Sequence, residues 1–354
     1  MLTVLSEQEL LMDAPVAAPL FAGGVRCHGG FDNDGRYLPP RTLYRTPAIE
    51  AWQEKHRRDF GTEIIDVPLS TWPAHYPSVE QARLLLRRGV PEPLIATLTR
   101  IGTVEGFGAN IRHLRPGDLQ RHFAEDISGT ATAHLGRGLF EAHGRDEAGW
   151  EEQAGHKDMW FAARDIAFEG RSAEVDIDAM LARMGFERRP AGAGEGRGPT
   201  GAVAGERLLP DDIDADLEAM VRLMVRVLLI EISAFHTFAW AEEWLADTDL
   251  VAGEGEAARL VGFIRMDETP HVGYLRAALT EMRDRTWLGA SGHRYPGVDM
   301  IGVIWEHSLR QSLGPGRAQN LQAVKGEVEH WCSRRPGGGE VLEEFLALSA
   351  GDAH

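Results

Sequence analysis

Apolar side chains recur at steps of three and four along four long segments of the chain, which is the spacing of one face of an α-helix. The first pair is segment A, residues 117–143, and segment B, residues 148–169. The second pair is segment C, residues 212–247, and segment D, residues 253–286. Short links join A to B and C to D, whereas a long Gly-rich crossover at 170–211 separates the pairs. The pattern predicts an all-α protein in which two helical hairpins form a four-helix bundle with one long crossover.

The chain on either side of these segments has a different pattern. Residues 1–77 hold many Gly, Pro and aromatic residues without a sustained period, so we expect an irregular N-terminal arm. Within it, the stretch HGGFDNDGRYLPPRT is able to close a pocket, although a structural surface loop is the simpler interpretation. Residues 78–290 are predicted to form the bundle domain. Residues 291–354 are predicted to form a C-terminal extension with two or three extra helices.

Charged side chains interrupt the predicted inner faces of segments C and D. Glu231 is surrounded at helical spacing by apolar residues. These neighbours are Met224, Val227, Leu228, Phe235 and Phe238. Glu268 and His271 lie on the apolar stripe of segment D, inside the run MDETPHVGYL. Because a charged group is seldom buried unless it is paired or binds a metal, these residues indicate a site.

The heights of these residues in the predicted bundle can be compared, since partners in an antiparallel hairpin lie at equal distances from its turn. Glu231 and Glu268 are nearly equidistant from the turn between C and D, and Glu141 and Glu152 from the turn between A and B. Each hairpin is therefore expected to bring two glutamates face to face. Carboxylates placed together in a dry core repel one another, and bound metal ions remove that repulsion.

These residues resemble the ferritin-like dimetal-carboxylate superfamily, in which two helices each supply a Glu and the other two each supply Glu-x-x-His. The resemblance implies a ferritin-like bundle that holds two metal ions, iron in the first place and manganese as the other candidate. Segment D matches through Glu-Thr-Pro-His, whereas segment B offers a Glu and a His four positions apart. The metal ligands that the resemblance implies are Glu141, Glu152, His156, Glu231, Glu268 and His271.

Other residues near these positions are further candidates. The substitutes for ligands in segments A and B are Glu125, Asp126, His134 and Asp158. The candidates for an additional ligand, or for a hydrogen bond to a ligand, are His134, His236, Asp126 and Asp267. The predicted pocket walls are Trp160, Phe235, Phe238 and Tyr274. A place in the ordinary core is the competing interpretation for both His134 and His236, and pairing with an arginine such as Arg226 is the competing one for Glu231.

A proline between the two predicted ligands of segment D leaves a second interpretation open. Pro270 cannot donate a backbone hydrogen bond, so a kink in the helix is expected there. The same sequence is also a good helix start, with Thr269 as the cap and Pro270 in the first turn. In that case Glu268 and His271 would belong to an ordinary capped helix in the core.

Composition and charge exclude several classes of partner. A formal net charge of −17 argues against binding to nucleic acid or to an anionic membrane, since both require concentrated Lys and Arg. The most apolar stretch, residues 223–241, contains charged residues that make a membrane span costly. Only Cys27 and Cys332 are present, so a disulfide framework and a thiolate zinc site are unsupported. The N-terminus lacks the pattern of a secretory signal, and we expect a cytoplasmic protein.

The function that the resemblance implies is a non-haem dimetal oxygenase or oxidase. Such an enzyme would use O2 and, in some reactions, an electron donor to oxidise a small organic substrate. A metal-free helical binding or scaffold protein is the alternative, with its buried Glu and His residues paired to one another. Two lesser alternatives are a dimanganese catalase-like enzyme and a terpenoid cyclase that would bind Mg²⁺ and diphosphate through the DDIDAD motif at 211–216. The substrate and the oligomeric state are not readable from the sequence.

Overall fold

The computed structural model describes residues 3–171 and 207–351, which are mostly helical. The helices of these residues are α1 (Glu7–Leu10), α2 (Arg45–Phe60), α3 (Val79–Arg87), α4 (Glu92–Gly108), α5 (Ala131–His134), α6 (Leu139–Ala148), α7 (His156–Phe168), α8 (Ala215–Leu245), α9 (Glu256–Asp267), α10 (Thr269–Arg283), α11 (Gly297–Leu313), α12 (Pro315–Ser333) and α13 (Gly338–Gly351). The strands are β1 (Ala18–Ala22), β2 (Val25–Phe31), β3 (Tyr37–Leu38), β4 (Thr286–Leu288) and β5 (Arg294–Pro296). The all-α prediction therefore holds for most of the chain.

The centre of the molecule is built from five helices, α4, α7, α8, α9 and α10. Helix α4 packs along α7, α7 packs along α9, and α8 packs against both α9 and α10. One apolar cluster joins the first half of α8 to α10, and a second joins its last part to α4, α7 and α9. Glu231 lies where α8 passes from the first cluster to the second. The polar residues described below are therefore enclosed between two apolar cores.

The close contact between α4 and α7 depends on a glycine. Gly102 of α4 faces α7 so closely that a Cβ atom there would lie 2.9 Å from the Phe161 ring and 3.0 Å from the Lys157 carbonyl oxygen. One turn further on, a Cβ atom at Gly106 would meet the Lys157 side chain. This order of contacts makes α4 and α7 antiparallel. It also brings Glu105 of α4 close to the first turn of α7.

Replacement of Gly102 by alanine is expected to lower the free energy of unfolding by about 1–3 kcal/mol, because the backbone oxygen of Lys157 cannot move without separating α4 from α7. The measurement is urea-induced unfolding followed by circular dichroism. Gly302 of α11 is the matched control, since a Cβ atom there has no neighbour within 4 Å. Its replacement by alanine is expected to stabilise the protein by up to about 1 kcal/mol through helix propensity. Equal stabilisation by both changes would contradict the close-contact argument.

The N-terminal arm is more regular than expected. β1, β2 and β3 form an antiparallel sheet, and α2 follows it. The start of β2 also pairs with the turn before α7, where the His28 amide donates to the Ala154 carbonyl and the Ala154 amide donates to the Arg26 carbonyl. The alternation of apolar and polar residues that identifies a strand was not evident in the sequence, because two of these strands have only five and two residues. The stretch HGGFDNDGRYLPPRT therefore spans β2, a turn and β3, and its His28 is buried.

Segments A and B were predicted incorrectly in part. Segment A is broken into α5, two 3-10 turns and α6, because Gly129 and Gly138 adopt positive φ angles of 64° and 131°. Segment B begins its helix only at His156, after a turn at 149–155 in which Gly149 has φ 83°. α4, which lies before segment A, takes the place of segment A beside α7. The predicted A–B hairpin is therefore wrong in its packing. A short turn joins α6 to α7, but the antiparallel partner of α7 is α4.

Segments C and D match the structure closely. α8 begins after Asp214, whose carboxylate accepts hydrogen bonds from the amides of Asp216 and Leu217. Segment D is divided into α9 and α10 at Glu268, two residues before Pro270, so the predicted interruption is confirmed.

The predicted extra helices of the C-terminal extension are α11, α12 and α13. The Gly-rich crossover predicted at 170–211 lies mostly outside the described residues, and the domain boundaries at 77 and 290 stay predictions. None of the helices in the described part of the chain combines the length and the apolar content that crossing a lipid bilayer demands.

Candidate metal centre

Residues from five helices and one helix junction meet at a single buried place. The contributing residues are Glu105 of α4, His143 and Glu147 of α6, His156 of α7, Glu231 of α8, Glu268 between α9 and α10, and His271 of α10. The turn at 149–155 is short enough to place Glu147 and His156 next to each other, although they belong to different helices. The break at Glu268 brings its side chain between two histidines.

The residues form two groups, each able to hold a metal ion. The first group is His143, Glu147, Glu231 and His271, and the second is Glu105, Glu147, His156 and Glu268. Within each group, one nitrogen or carboxylate oxygen from every residue lies within 4.8 Å of the others. Glu147 belongs to both groups. The two candidate metal positions are therefore adjacent and have one residue in common.

Two carboxylates reach both positions. Glu268 places Oε1 2.8 Å from His156 Nδ1 and Oε2 2.6 Å from His271 Nδ1. Glu147 likewise places Oε2 3.5 Å from His156 Nδ1 and Oε1 3.4 Å from His271 Nδ1. Each carboxylate thus directs one oxygen to each group, which is the arrangement of a carboxylate that bridges two cations.

His143 completes the first group. Its Nε2 lies 3.6 Å from Glu147 Oε1 and 3.4 Å from Glu231 Oε1, and its ring stacks on that of His271 at 3.9 Å. Its Nδ1 is 3.0 Å from the Tyr274 hydroxyl oxygen. When Nδ1–H donates to that oxygen, Nε2 keeps a free lone pair directed at the carboxylates. Burial lowers the pKa of His143 to about 3, so its ring is neutral.

Several buried polar atoms at this place contact one another without forming a hydrogen bond of ordinary geometry. Among the described residues these atoms are His143 Nε2, His156 Nδ1, Glu147 Oε2 and Glu268 Oε1, of which His156 Nδ1 and Glu268 Oε1 form an ion pair at 2.8 Å. An unsatisfied buried polar atom is costly, and several of them directed at one point are rare in a native core. Metal ions between these atoms would satisfy all of them, so the donor set fits two cations.

The ionisation of the site supports this conclusion. Burial raises the pKa of Glu105 and of Glu231 well above the ordinary glutamate value, and neighbouring carboxylates raise it further. Burial acts to lower the pKa of His156 and His271, but Glu268 and the other carboxylates that face these rings together outweigh it and hold both values well above the ordinary one. Without metal, protons on these four groups balance the charge. Two divalent cations carry the same positive charge as those four protons.

The outer side of each of two histidine rings faces an aspartate. His271 Nε2 lies 2.9 Å from Asp146 Oδ2, and His156 Nε2 lies 3.5 Å from Asp267 Oδ2. Both aspartates are fully buried. A carboxylate behind a metal-ligating histidine fixes its tautomer and orientation, which here leaves Nδ1 free to bind.

The N-terminal arm holds these two aspartates. Arg41 and Arg45 donate to Asp146, with Nε of Arg41 2.6 Å and Nη2 of Arg45 2.7 Å from its oxygens. These arginines hold the pKa of Asp146 well below its ordinary value against the opposing effect of burial. The Tyr37 hydroxyl donates to Asp267 at 3.0 Å. The arm thus belongs to the site rather than to the surface.

The structure brings together four of the six ligands predicted from the sequence, namely His156, Glu231, Glu268 and His271. Asp267 and Tyr274 also occupy the predicted neighbourhood, as partners of ligating histidines. Trp160 and Phe238 are buried against each other, 5.2 Å apart, one turn and two turns beyond His156 and Glu231. Phe235 is only partly buried.

Glu141 and Glu152 were predicted as metal ligands, but both lie outside the two groups. The Glu141 carboxylate accepts hydrogen bonds from Arg112 at 2.8 Å and Arg145 at 2.7 Å, outside both groups. It lies six positions before Glu147, and six positions of an α-helix direct two side chains to different faces. Glu152 is exposed on the turn at 149–155.

Three polar candidates serve other purposes. His134 is a core histidine that bonds the Leu5 amide and the Thr130 carbonyl, and His236 bonds the Leu69 carbonyl. Asp126 is exposed. The candidates that lie outside both metal groups are Glu125, Asp126, His134, Asp158 and His236.

Sequence reasoning missed Glu105, His143 and Glu147. The run HGRDEAG was interpreted as a link because of its glycines and charges, although a His and a Glu four positions apart share a helix face. Glu105 was visible as a lone acidic residue in the apolar run IGTVEGFGANI. Comparisons of the chain with protein-family models, with curated proteins and with solved structures found no match. The site is therefore interpreted from its own geometry.

Proposed function

We propose that this chain is a dimetal-carboxylate oxidoreductase that binds two iron ions and uses O2 to oxidise a small organic substrate. The observation that carries the proposal is the pair of overlapping ligand groups with two shared carboxylates, Glu147 and Glu268. Glu231, Glu105 and the three histidines complete the set. Two Fe(II) ions held there would supply part of the electrons that reduce O2, and the substrate or an external donor would supply the rest.

The choice of metal follows from the ligands. Four carboxylates carry the charge that two divalent cations neutralise, and the set combines hard oxygen donors with imidazoles. Iron and manganese suit such a set, whereas structural zinc sites are mostly closed tetrahedra rich in cysteine and histidine. Cys27 and Cys332, the two cysteines of the chain, take no part in either group.

The arrangement also supports a ferritin-like interpretation of the central helices. α4 and α8 each supply a single Glu, and the α9–α10 junction supplies Glu268 with His271 three positions later. The second Glu–His pair, Glu147 and His156, is divided by the turn between α6 and α7 instead of lying on one helix. The donor set thus resembles that of the family, with one pair assembled across a turn and His143 as an additional histidine.

The ligand side chains differ in their exposure, which indicates the open side of the site. The side chains of Glu105 and Glu231 are 11% and 8% exposed, whereas those of the other five ligands are at most 2% exposed. O2 and a substrate would therefore approach between α4 and α8. On the remaining sides, buried aromatic residues such as Trp160 exclude water and limit side reactions of an oxidant.

The experiment is O2 consumption by protein loaded anaerobically with two equivalents of Fe(II). The wild type is expected to consume O2 at least about tenfold faster than free Fe(II) in the same buffer, since bridging ligands hold both ions at one site. Glu147→Gln is expected to abolish the excess rate. Glu141→Gln, on the same helix but outside the site, is expected to retain it.

Other outcomes would contradict the proposal. A wild-type rate no greater than that of free Fe(II) would overturn the O2-dependent activity. Rapid disproportionation of hydrogen peroxide by the Mn(II)-loaded chain alone would favour the dimanganese catalase-like alternative. Failure to bind either metal would favour the metal-free binding protein.

A further inference from the structure

A continuous chain of polar contacts joins the two outer aspartates behind the candidate metal centre. His28 Nε2 lies 2.9 Å from Asp267 Oδ2, and His28 Nδ1 lies 3.3 Å from Nη2 of Arg41. Arg41 Nε then donates to Asp146 Oδ1 at 2.6 Å. With the contacts of these aspartates to His156 and His271, the chain runs from one ligating histidine to the other through the N-terminal arm.

The donors and acceptors of this chain are compatible throughout, and every contact is a hydrogen bond except that between His156 Nε2 and Asp267 Oδ2, which is an ion-pair contact of 3.5 Å. An arginine only donates, so His28 Nδ1 accepts and its Nε2–H donates to Asp267. Asp267 and Asp146 each accept from both sides. His156 and His271 can then carry Nε2–H outward, which leaves both Nδ1 atoms unprotonated towards the metal positions. The same direction of donation along the chain therefore sets the tautomer of both His156 and His271.

The linking residues are held firmly. His28 is fully buried, and its backbone amide donates to Ala154 in the turn before His156. Arg41 is 3% exposed and has a φ of 52°, a strained conformation for a non-glycine residue, while its amide donates to the Asp13 carboxylate. Strain of this kind persists only where the surroundings impose it, and it is concentrated at functional sites.

We propose that His28 and Arg41 are positioning residues that couple the two halves of the metal centre, so that the two ions bind as a pair. The proposal rests on the proposed dimetal function and adds a role for the N-terminal arm. The arm orients His156 and His271 at the same time, so an ion that fixes one ring lowers the cost of fixing the other. Without the link, each aspartate holds its own histidine independently.

The experiment is a Mn(II) titration of the metal-free chain, followed by electron paramagnetic resonance. At one Mn(II) per chain, paired loading leaves half of the molecules with a spin-coupled Mn pair and almost no isolated Mn(II), whereas independent loading of two equal sites leaves about half of the bound Mn(II) isolated. The wild type is expected to show the coupled signal. His28→Phe and Arg41→Met, which break the link from either end, are expected to show isolated Mn(II) and an affinity about 10- to 100-fold weaker for the second ion.

Tyr37→Phe is the matched control. It removes a hydrogen bond to the same oxygen of Asp267 but leaves the link intact, so paired loading is expected to remain. A general loss of protein stability would lower the affinity for both ions without changing whether they bind as a pair. Coupled signals in both link variants, with circular dichroism unchanged, would overturn the coupling while leaving the dimetal function in place. A wild type that binds no metal ion would overturn both.

Discussion

Replacement of Glu147 by alanine is expected to remove both metal ions from the chain. Glu147 belongs to both ligand groups and directs one carboxylate oxygen to each. Its loss takes a ligand from both proposed ions at once and, among the described residues, leaves Glu268 as the one carboxylate that contacts both His156 and His271. Outer partners of metal ligands typically contribute about 10- to 100-fold to affinity, and a bridging ligand is expected to contribute more. Elemental mass spectrometry of protein purified after growth with iron and manganese measures the effect.

The control for this change lies on the same helix. Glu141→Ala is expected to retain about two ions per chain, because its carboxylate pairs with Arg112 and Arg145 outside the site. Glu231→Ala, which belongs to one group only, is expected to reduce the affinity for one ion more than for the other. If Glu147→Ala and Glu141→Ala purify with the same metal content, the assignment of the ligands is wrong.

Binding of two Fe(II) ions to the metal-free chain is expected to release about four protons at neutral pH. The protons come from groups whose pKa is raised in the folded protein. Burial is the main cause for Glu105 and Glu231, whereas for His156 and His271 the charge of Glu268 and of the other facing carboxylates together overcomes burial. Metal ions require the deprotonated forms, so they displace these protons. The count is measured anaerobically in weakly buffered solution with a pH indicator.

The sign of the pH dependence follows from the same groups. Raised pKa values mean that protons occupy the ligands below those values, so the apparent metal affinity falls as the pH falls. It rises as the pH rises through the raised pKa values of these glutamates and histidines, by up to about tenfold per released proton per pH unit. Glu141→Gln, whose substituted group lies outside the site, should give the same count. Release of fewer than about two protons would show that the carboxylates are ionised before metal binds.

The half of the site formed by segments C and D was predictable because its residues obey local rules. Glu231 lies within a long helix with an acidic cap, and Glu268 and His271 share a face three positions apart. Glu231 and Glu268 lie at nearly equal distances from the turn between C and D, which predicts that they face each other, and Pro270 indicates the break between α9 and α10. Such signals depend on helix geometry alone, so a periodic sequence displays them.

The other half was not predictable because its residues approach one another through the fold. Glycines with positive φ interrupt the helix predicted for segment A and shift the start of the helix in segment B to His156. The apolar stripe predicted for segment A therefore does not lie on one continuous helix. Glu105 reaches the site because Gly102 allows α4 to approach α7 closely. Glu147 and His156 meet across a turn, where no helical spacing relates them.

By itself, the sequence determined the helical class of the protein, the long apolar helix with a buried glutamate, and the Glu-Thr-Pro-His element. Only the tertiary structure decided which glutamates complete the candidate site, that two of them contact both His156 and His271, and that His28 and Arg41 of the arm lie behind it. The physical reason is that helix periodicity is encoded over a few neighbouring residues. A cluster of buried charges, in contrast, is assembled from segments far apart in the chain, and their packing alone fixes which oxygen faces which nitrogen.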